Sequence, residues 1–429
     1  MKSKILLIAV LLFATQSSFA AEDAVQQQTV QLPKQVTIDQ LLQVLKDKSP
    51  RYAVARSRLE DAKAGVIAAD VYPNPNLSYG RFDLASSVNT MYDGHVQQQV
   101  TVSVPILATG QHGARVEAAE RRVEATEADI EADYLHLVRD TWRLFVQLLA
   151  AQEKVAVLET SLEESKKLQH IVTERENAGM SSPYDTLRLT QETQNIESRL
   201  ASARTDAASV IGEIGVLLGF STWQVEALGE LKPMGVPVDL EKLWRDTELN
   251  NPELETSRRE IVAANADIEK AEAERWPIPS IQVGSVFTDK PYGMTSFAGL
   301  SVDIPIFDRG QGGIAKAEAE KHQALIKQSY LTASTRQELE RAVEVLKQRR
   351  ANLEKFENSS LKSLPKLKQM AEDAYQLGQS TLLEVLDASR SRTETKLTYL
   401  DLLSDEVNAE IDTLSASGLL VSSIEPSKK

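Results

Sequence analysis

Hydrophobic positions recur along this chain with two periods, and the two periods mark out two kinds of element. Val96, Val100, Val102 and Val104 alternate with Gln97, Gln99, Thr101 and Ser103, the period of a strand with one apolar and one polar face. Ala298, Leu300, Val302 and Ile304 alternate in the same way with Phe297, Gly299, Ser301 and Asp303, and Phe297 alone breaks the polar set. Partner strands are expected over residues 75 to 83 and where Ile281, Val283 and Phe287 alternate with Ser280, Gln282 and Thr288. Residues 84 to 95 and 289 to 295 read as loops.

The second period is helical. Ile130, Tyr134, Leu137, Thr141, Leu144, Leu148, Ala151, Val155, Leu158 and Leu162 step by four and three, a heptad seam. Leu200, Ala203, Ala207, Val210, Ile214 and Leu217 continue the pattern beyond a short turn, which predicts an antiparallel coiled-coil hairpin. A helix from Gln111 to Ala178 would reach roughly 100 Å at about 1.5 Å per residue, too long for a compact globule. Its counterpart is expected from Gly313 to Leu377, with Pro365 kinking or splitting it.

The counterpart exists because the chain repeats its features about 200 residues apart. Ser49-Pro50 recurs as Asn251-Pro252, Tyr72-Pro-Asn-Pro75 as Trp276-Pro-Ile-Pro279, and Val104-Pro-Ile106 with Gly110 as Ile304-Pro-Ile306 with Gly310. The expected organisation is a first repeat over 21–218, a linker over 219–238, a second repeat over 239–420 and a polar tail over 421–429. The first repeat would hold a β-hairpin at about 75–104, a long helix 111–178 and a helix 183–218; the second, a hairpin at about 279–304, a long helix 313–377 and a helix 382–418.

The N-terminus changes where this architecture would sit. Lys2 and Lys4, the apolar run Ile5 to Ala14 and the small residues Ser18 and Ala20 read as a secretory signal peptide over residues 1–20. Its removal takes the formal charge from −14 to −16, which argues against nucleic acid as a partner. There is no cysteine, so neither disulfides nor thiolate metal sites are available, nor is a lipid-modified cysteine. No stretch has the roughly 20 apolar residues of a membrane-spanning helix. Four strands of barrel-like length and alternation point to another way of spanning, but four cannot close a barrel in lipid without an open edge. Three chains giving four strands each close a 12-stranded β-barrel. The expected fold is therefore an α+β membrane protein: a homotrimer whose shared barrel continues into a helical coiled-coil tunnel. Two soluble hairpins on a periplasmic coiled-coil scaffold are the competing reading.

At this point the mature sequence resembles the TolC family of trimeric outer-membrane channel proteins along nearly its whole length. "VDIPIFDRGQGGIAKAEAE", Val302 to Glu320, and "LPKLKQMAEDAYQLGQSTLLEVLDASR", Leu364 to Arg390, are similar to the branch serving heavy-metal efflux pumps of the resistance-nodulation-division class, the CzcC-like proteins. The resemblance implies a barrel in the outer membrane of a Gram-negative bacterium, a helical tunnel across the periplasm, and two partners, a periplasmic adaptor (membrane fusion) protein and an inner-membrane pump. Some members of that branch carry a lipid-modified cysteine that this chain lacks.

The turns between paired helices carry the candidate sites. Ser182-Pro183-Tyr184-Asp185 and Thr381-Leu382-Leu383-Glu384 have capping-box spacing, and Gly179 and Gly378 suit the left-handed residue that ends the preceding helix. Capping accounts for Asp185 and Glu384 but not for Asp387, one turn further on, whose counterpart in the first repeat is Arg188. A solvated helix face is the bland alternative. The resemblance implies instead that Glu384 and Asp387 form acidic rings at a periplasmic constriction. Asp185, Arg188 and Tyr375 are candidates for a latch between neighbouring hairpins, with Ser380 standing where the family pattern has Arg. Gly179, Met180, Ser181 and Ser182, with Gly378, Gln379, Ser380 and Thr381, are the expected adaptor-docking tips.

The glycine-rich turns at Gly110 and Gly310 lack the Gly-Lys-Ser/Thr ending of a phosphate loop and read as strand-to-helix turns. His95, His112, His136, His170 and His322 are scattered without metal-ligand spacing. No nucleophile motif or cofactor fingerprint occurs, so neither an enzyme nor a cofactor is expected. The expected function is a passive exit duct for a tripartite efflux system exporting heavy-metal cations; drug efflux and type I secretion are alternatives within that class.

Overall fold

The computed structural model describes residues 33–83, 96–220, 222–288, 293–376 and 380–424. The signal-peptide stretch, His95, Gly378 and Gln379 lie outside the described residues. In chain order the elements are β1 (Gln35–Val36), α1 (Ile38–Lys48), α2 (Pro50–Asp70), β2 (Asn76–Asp83), β3 (Val96–Pro105), α3 (Gln111–Asn177), α4 (Pro183–Leu218) and β4 (Glu226–Ala227). There follow α5 (Leu240–Asn250), α6 (Pro252–Glu274), β5 (Ser280–Thr288), β6 (Gly293–Ser301), α7 (Gln311–Phe356), a π-helical turn (Glu357–Leu361), α8 (Lys362–Gln376), α9 (Leu382–Ala416) and α10 (Leu420–Ile424).

The four longer strands form one antiparallel sheet in the order β2-β3-β5-β6. Register places Leu77 opposite Val102, Val102 opposite Val283, and Val283 opposite Ala298, so the apolar positions of all four strands share one face. That face is bare: Leu77 and Leu300 are each 71% exposed. Phe297, the exception in the polar set, has a local cause. It pairs with Gly284, and its ring lies where a Cβ on Gly284 would be, only 2.7 Å away. A glycine on one strand thus receives an aromatic ring from the next.

The expected strand through Ile304 stops at Ser301. Ser301 pairs with Ser280, and the residue before Ser280 is Pro279, which has no N–H to extend the ladder. The alternation from Val302 to Ile304 continues in the sequence but not in the sheet.

α3, at 67 residues and about 100 Å, is the spine. Along its first half it is tied to α2 and α6, through Arg58 to Asp129 and Arg122 to Asp267, and along its second half to α4 and α9, through Arg204 to Glu159 and Arg392 to Glu164. The change of partners is made by two similar end-to-end junctions. Ser49 Oγ donates to Leu217 O at 3.3 Å where α4 ends on α2, and Asn251 Nδ2 donates to Ala416 O at 3.2 Å where α9 ends on α6. Gly219 (φ +81°) and Gly418 (φ +73°) make both possible, since a Cβ would lie 2.5 Å from Pro50 Cγ in one and 2.6 Å from Asn251 Cα in the other.

The second long helix is divided, but not at Pro365 itself. The break is the π-helical turn Glu357–Leu361, and Pro365 lies within α8. The missing proline N–H leaves the carbonyl four residues earlier, that of Leu361, without its helical donor, so the disturbance falls upstream. At the other end α9 stops at Ala416, two residues short of expectation, because Gly418 takes up the junction.

Residues 219–238 are more than a linker. β4 pairs in parallel with β1, and Trp223, Val225, Leu231 and Val236 are buried in the main core with α1, α3 and α9. Its final stretch is clamped by a fully buried carboxylate. Glu410 accepts from the backbone N–H groups of Met234 (2.5 Å), Gly235 (2.9 Å) and Val236 (3.0 Å) and from Arg350 Nη2 (2.8 Å). Arg350 also holds Glu406 at 3.2 Å, whose carboxyl is raised above its ordinary value by burial, against the opposing pull of Arg350.

Candidate functional site

The helical tip is built from the two turns and the ends of α3, α4, α8 and α9. α3 closes with both hydrogen bonds of a Schellman motif, Met180 N–H to Arg175 O at 2.7 Å and Gly179 N–H to Glu176 O at 2.9 Å, with Gly179 at φ +74°. α4 then opens on Ser182, whose hydroxyl accepts from Tyr184 N–H at 3.1 Å. Asp185 returns a carboxylate oxygen to Ser182 N–H and to Ser181 Oγ, both at 3.3 Å. On the other hairpin Thr381 N–H donates to Glu384 at 3.2 Å and Glu384 N–H to Thr381 Oγ1 at 3.4 Å. The capping roles expected of Asp185 and Glu384 are therefore in place.

The three latch candidates do not come together within the protomer. Asp185 is occupied by its own turn, and Arg188 pairs with no carboxylate among the described residues but donates to Tyr184 OH at 3.1 Å. Tyr375 is half-buried in a small apolar cluster with Leu168, Val172, Leu189, Leu382 and Leu386, and the Arg175 guanidinium sits 5.2 Å from its ring centroid. Tyr375 thus ties the end of α8 to the end of α3. Helical spacing places residues on a face without saying which neighbour that face meets.

Glu384 and Asp387 are both exposed, and Asp387 lines a groove between α4 and α9 with Tyr184, Arg188, Glu192 and Arg390. The groove holds about 290 Å³. Its acid is not alone. Arg390 grips the mostly buried Glu192 across the groove with two N–H donors, one at 3.3 Å, and this bond, with a smaller share from Asp387, holds its pKa above the ordinary value.

Above the apolar cluster, small hydroxyls stitch the helices. Ser165 Oγ and Thr193 Oγ1 lie 2.8 Å apart between α3 and α4, and Thr393 Oγ1 donates to Ser161 Oγ at 3.1 Å between α9 and α3. Arg392 Nη1 adds a contact to both carboxylate oxygens of Glu164, at 2.8 and 3.0 Å. These residues were not singled out from sequence, although Ser and Thr recurring on the apolar stripe of a heptad pattern are the signal that could have found them.

A pleated sheet with one bare apolar face, joined to helices of this length and closed by such turns, matches known sequences as well as known folds. Residues 41–214 fit the family described as "Outer membrane efflux protein". Among similar proteins, the cobalt-zinc-cadmium resistance protein CzcC of Cupriavidus metallidurans is 24% identical over 375 residues, covering 87% of this chain and 88% of its own. The pyoverdine export outer membrane protein OpmQ of Pseudomonas putida is 23% identical over 420 residues, covering 89% and 85%. A crystal structure of CusC superposes with a TM-score of 0.70 at 20% identity, over 89% of this chain and 92% of that one. The chain therefore shares the fold of that structure. No group of three or more metal-binding side chains occurs among its described residues, and His112, His136 and His170 sit instead beside Asp70, Glu253 and Glu174.

Proposed function

We propose that this chain is the outer-membrane exit duct of a tripartite efflux system, working as a homotrimer. The observation that carries the reading is the sheet: one apolar face exposed to the surroundings and two outer strands, β2 and β6, paired on one side only. In lipid each unpaired backbone group costs several kcal/mol, so the edges require partners. Three copies joined β6 to β2 give a 12-stranded barrel, with Gln97, Gln99, Thr101 and Ser103 turned to the lumen. The internal two-fold repeat supports this reading, because each half supplies one hairpin and one helical pair. The helices then form a tunnel toward an adaptor and an inner-membrane pump, which supplies the energy; the duct itself is passive.

Glu384 and Asp387 are the proposed constriction. Asp185, Arg188 and Tyr375 act in it separately, Asp185 through its cap, Arg188 on the groove wall and Tyr375 in the tip cluster. The rims around Gly179–Ser182 and Gly378–Thr381 are the proposed adaptor contacts. Heavy-metal cations are the proposed cargo, on the likeness to CzcC; the comparable likeness to OpmQ supports the second reading, a duct for an organic chelator or drug. A strain deleted for the chain separates them: sensitivity to cobalt, zinc or cadmium supports the first, whereas unchanged metal tolerance with new sensitivity to organic compounds supports the second. Outer-membrane fractionation tests the duct itself, and a soluble monomer would defeat it.

A further inference from the structure

At the foot of the sheet, where β5 and β6 meet α7, the geometry points to a binding site for the phosphate headgroup of an anionic phospholipid of the inner leaflet. The site rests on the reading of the sheet as membrane-spanning, and it deepens that reading. Trp276, Pro277, Pro305, Arg309 and Ile314 line a cavity of about 660 Å³ together with Arg275. The Arg275 guanidinium lies over the Trp276 ring, 5.3 Å from its centroid, and Trp276 is 52% exposed.

The two arginines are brought together by backbone packing. Gly310 adopts φ +75° at the start of α7, and a Cβ there would lie 2.8 Å from Arg275 Cβ, so the turn carrying Arg309 rests directly against Arg275. Among the described residues neither guanidinium has a carboxylate within ion-pair distance. Asp308, the nearest acid in sequence to Arg309, is engaged by Gly310 N–H at 3.0 Å, and the exposed Glu318 closes the far wall. Arginine suits a phosphate because its planar fork presents paired donors.

The chain that leads from β6 to the cavity is apolar and exposed. Leu300 on β6 is followed at every second position by Val302, Ile304 and Ile306, all exposed, and Phe307 beside the cavity is 91% exposed. An exposed aromatic and apolar girdle ending in basic side chains is the arrangement expected at the boundary of hydrocarbon and headgroups. It lies on the helical side of the sheet, hence at the periplasmic leaflet. The fold does not demand it, since the matching positions in the first half are Val71 and Thr109, and nothing lies near a Cβ placed on Gly110.

The test is native mass spectrometry of the detergent-purified trimer offered cardiolipin, phosphatidylglycerol or phosphatidylcholine. The wild-type trimer should retain the two anionic lipids in preference to phosphatidylcholine, and R275Q/R309Q should weaken that retention about tenfold or more, while K316Q, removing a neighbouring exposed charge, leaves it unchanged. Equal retention by wild type and R275Q/R309Q, or an equal loss in K316Q, overturns the site while the trimer in the same spectrum leaves the duct standing. A chain recovered as soluble monomer overturns both.

Discussion

Arg390 on α9 holds Glu192 on α4, so the two hairpins of one protomer are pinned to each other beside Asp387. Glu192 is only 14% exposed on its side chain, and removing Arg390 would leave that carboxylate without its cation. R390A is therefore expected to loosen the tip, raising single-channel conductance in planar bilayers. The reversed pair E192R/R390E should restore the low value; a conductance unaffected by R390A would show that this contact does not hold the tip closed.

Neutralising the acids probes the constriction in another way. E384Q/D387N keeps side-chain shape and, through the amide oxygen of residue 384, much of the cap. It is expected to reduce preference for cations over anions in reversal-potential measurements, and an unchanged preference would remove these residues from the conduction path.

The clamp on the 219–238 segment should govern stability. E410A leaves three backbone N–H groups and the Arg350 guanidinium without their acceptor in a buried setting, for which a loss of about 3–5 kcal/mol is typical. The expected readout is a lower thermal midpoint and early proteolysis within 219–238. A midpoint equal to wild type would mean that the segment is held by its apolar contacts alone.

The junction glycines give a graded set. G110A faces only the left-handed backbone penalty of about 1–2 kcal/mol, since no atom lies within 4 Å of its Cβ. G219A and G418A add contacts of 2.5 and 2.6 Å to Pro50 and Asn251. Denaturation of the three variants should rank G110A as the mildest, and equal losses would show that the contacts relax without cost.

The pair of His136 on α3 and Glu253 on α6, at 2.8 Å, has a worked pH dependence. The hydrogen bond to Glu253 raises His136 above 6.5, and the same bond lowers Glu253 below 4.5. The histidine contribution is complete below pH 6.5 and is lost as pH rises through the raised value. The glutamate contribution is present above pH 4.5 and is lost as pH falls through the lowered one. Both side chains are about a third exposed or more, so the gain is at most about 1 kcal/mol. H136Q should differ from wild type in thermal midpoint between pH 4.5 and 6.5 and converge on it as pH rises through the raised histidine value; a difference that stays constant with rising pH would assign the effect to packing.

The elements themselves were legible because each rests on a local rule. Period-two valines give β3, a heptad seam gives α3, and hydroxyl-x-x-acid spacing gives the starts of α4 and α9, all without reference to distant residues. The tip was legible only as two capped turns. Helical spacing could not say that Tyr375 turns to Arg175, or that Asp387 shares its groove with Arg390 and Glu192, because those pairings depend on which helix stands opposite.

By itself, then, the sequence determined the strands, the long helices, the turns and the bare apolar stripe that asks for a membrane, since these follow from residue type and spacing along a few turns of chain. The tertiary structure decided what the stripes meet. It set Pro50 against Gly219, ended β6 at the ladder's last donor, moved the break in the second long helix upstream of Pro365, and folded residues 219–238 under Glu410. Such outcomes are fixed by close packing and by the need of buried donors for acceptors, and both are satisfied between residues far apart in the chain.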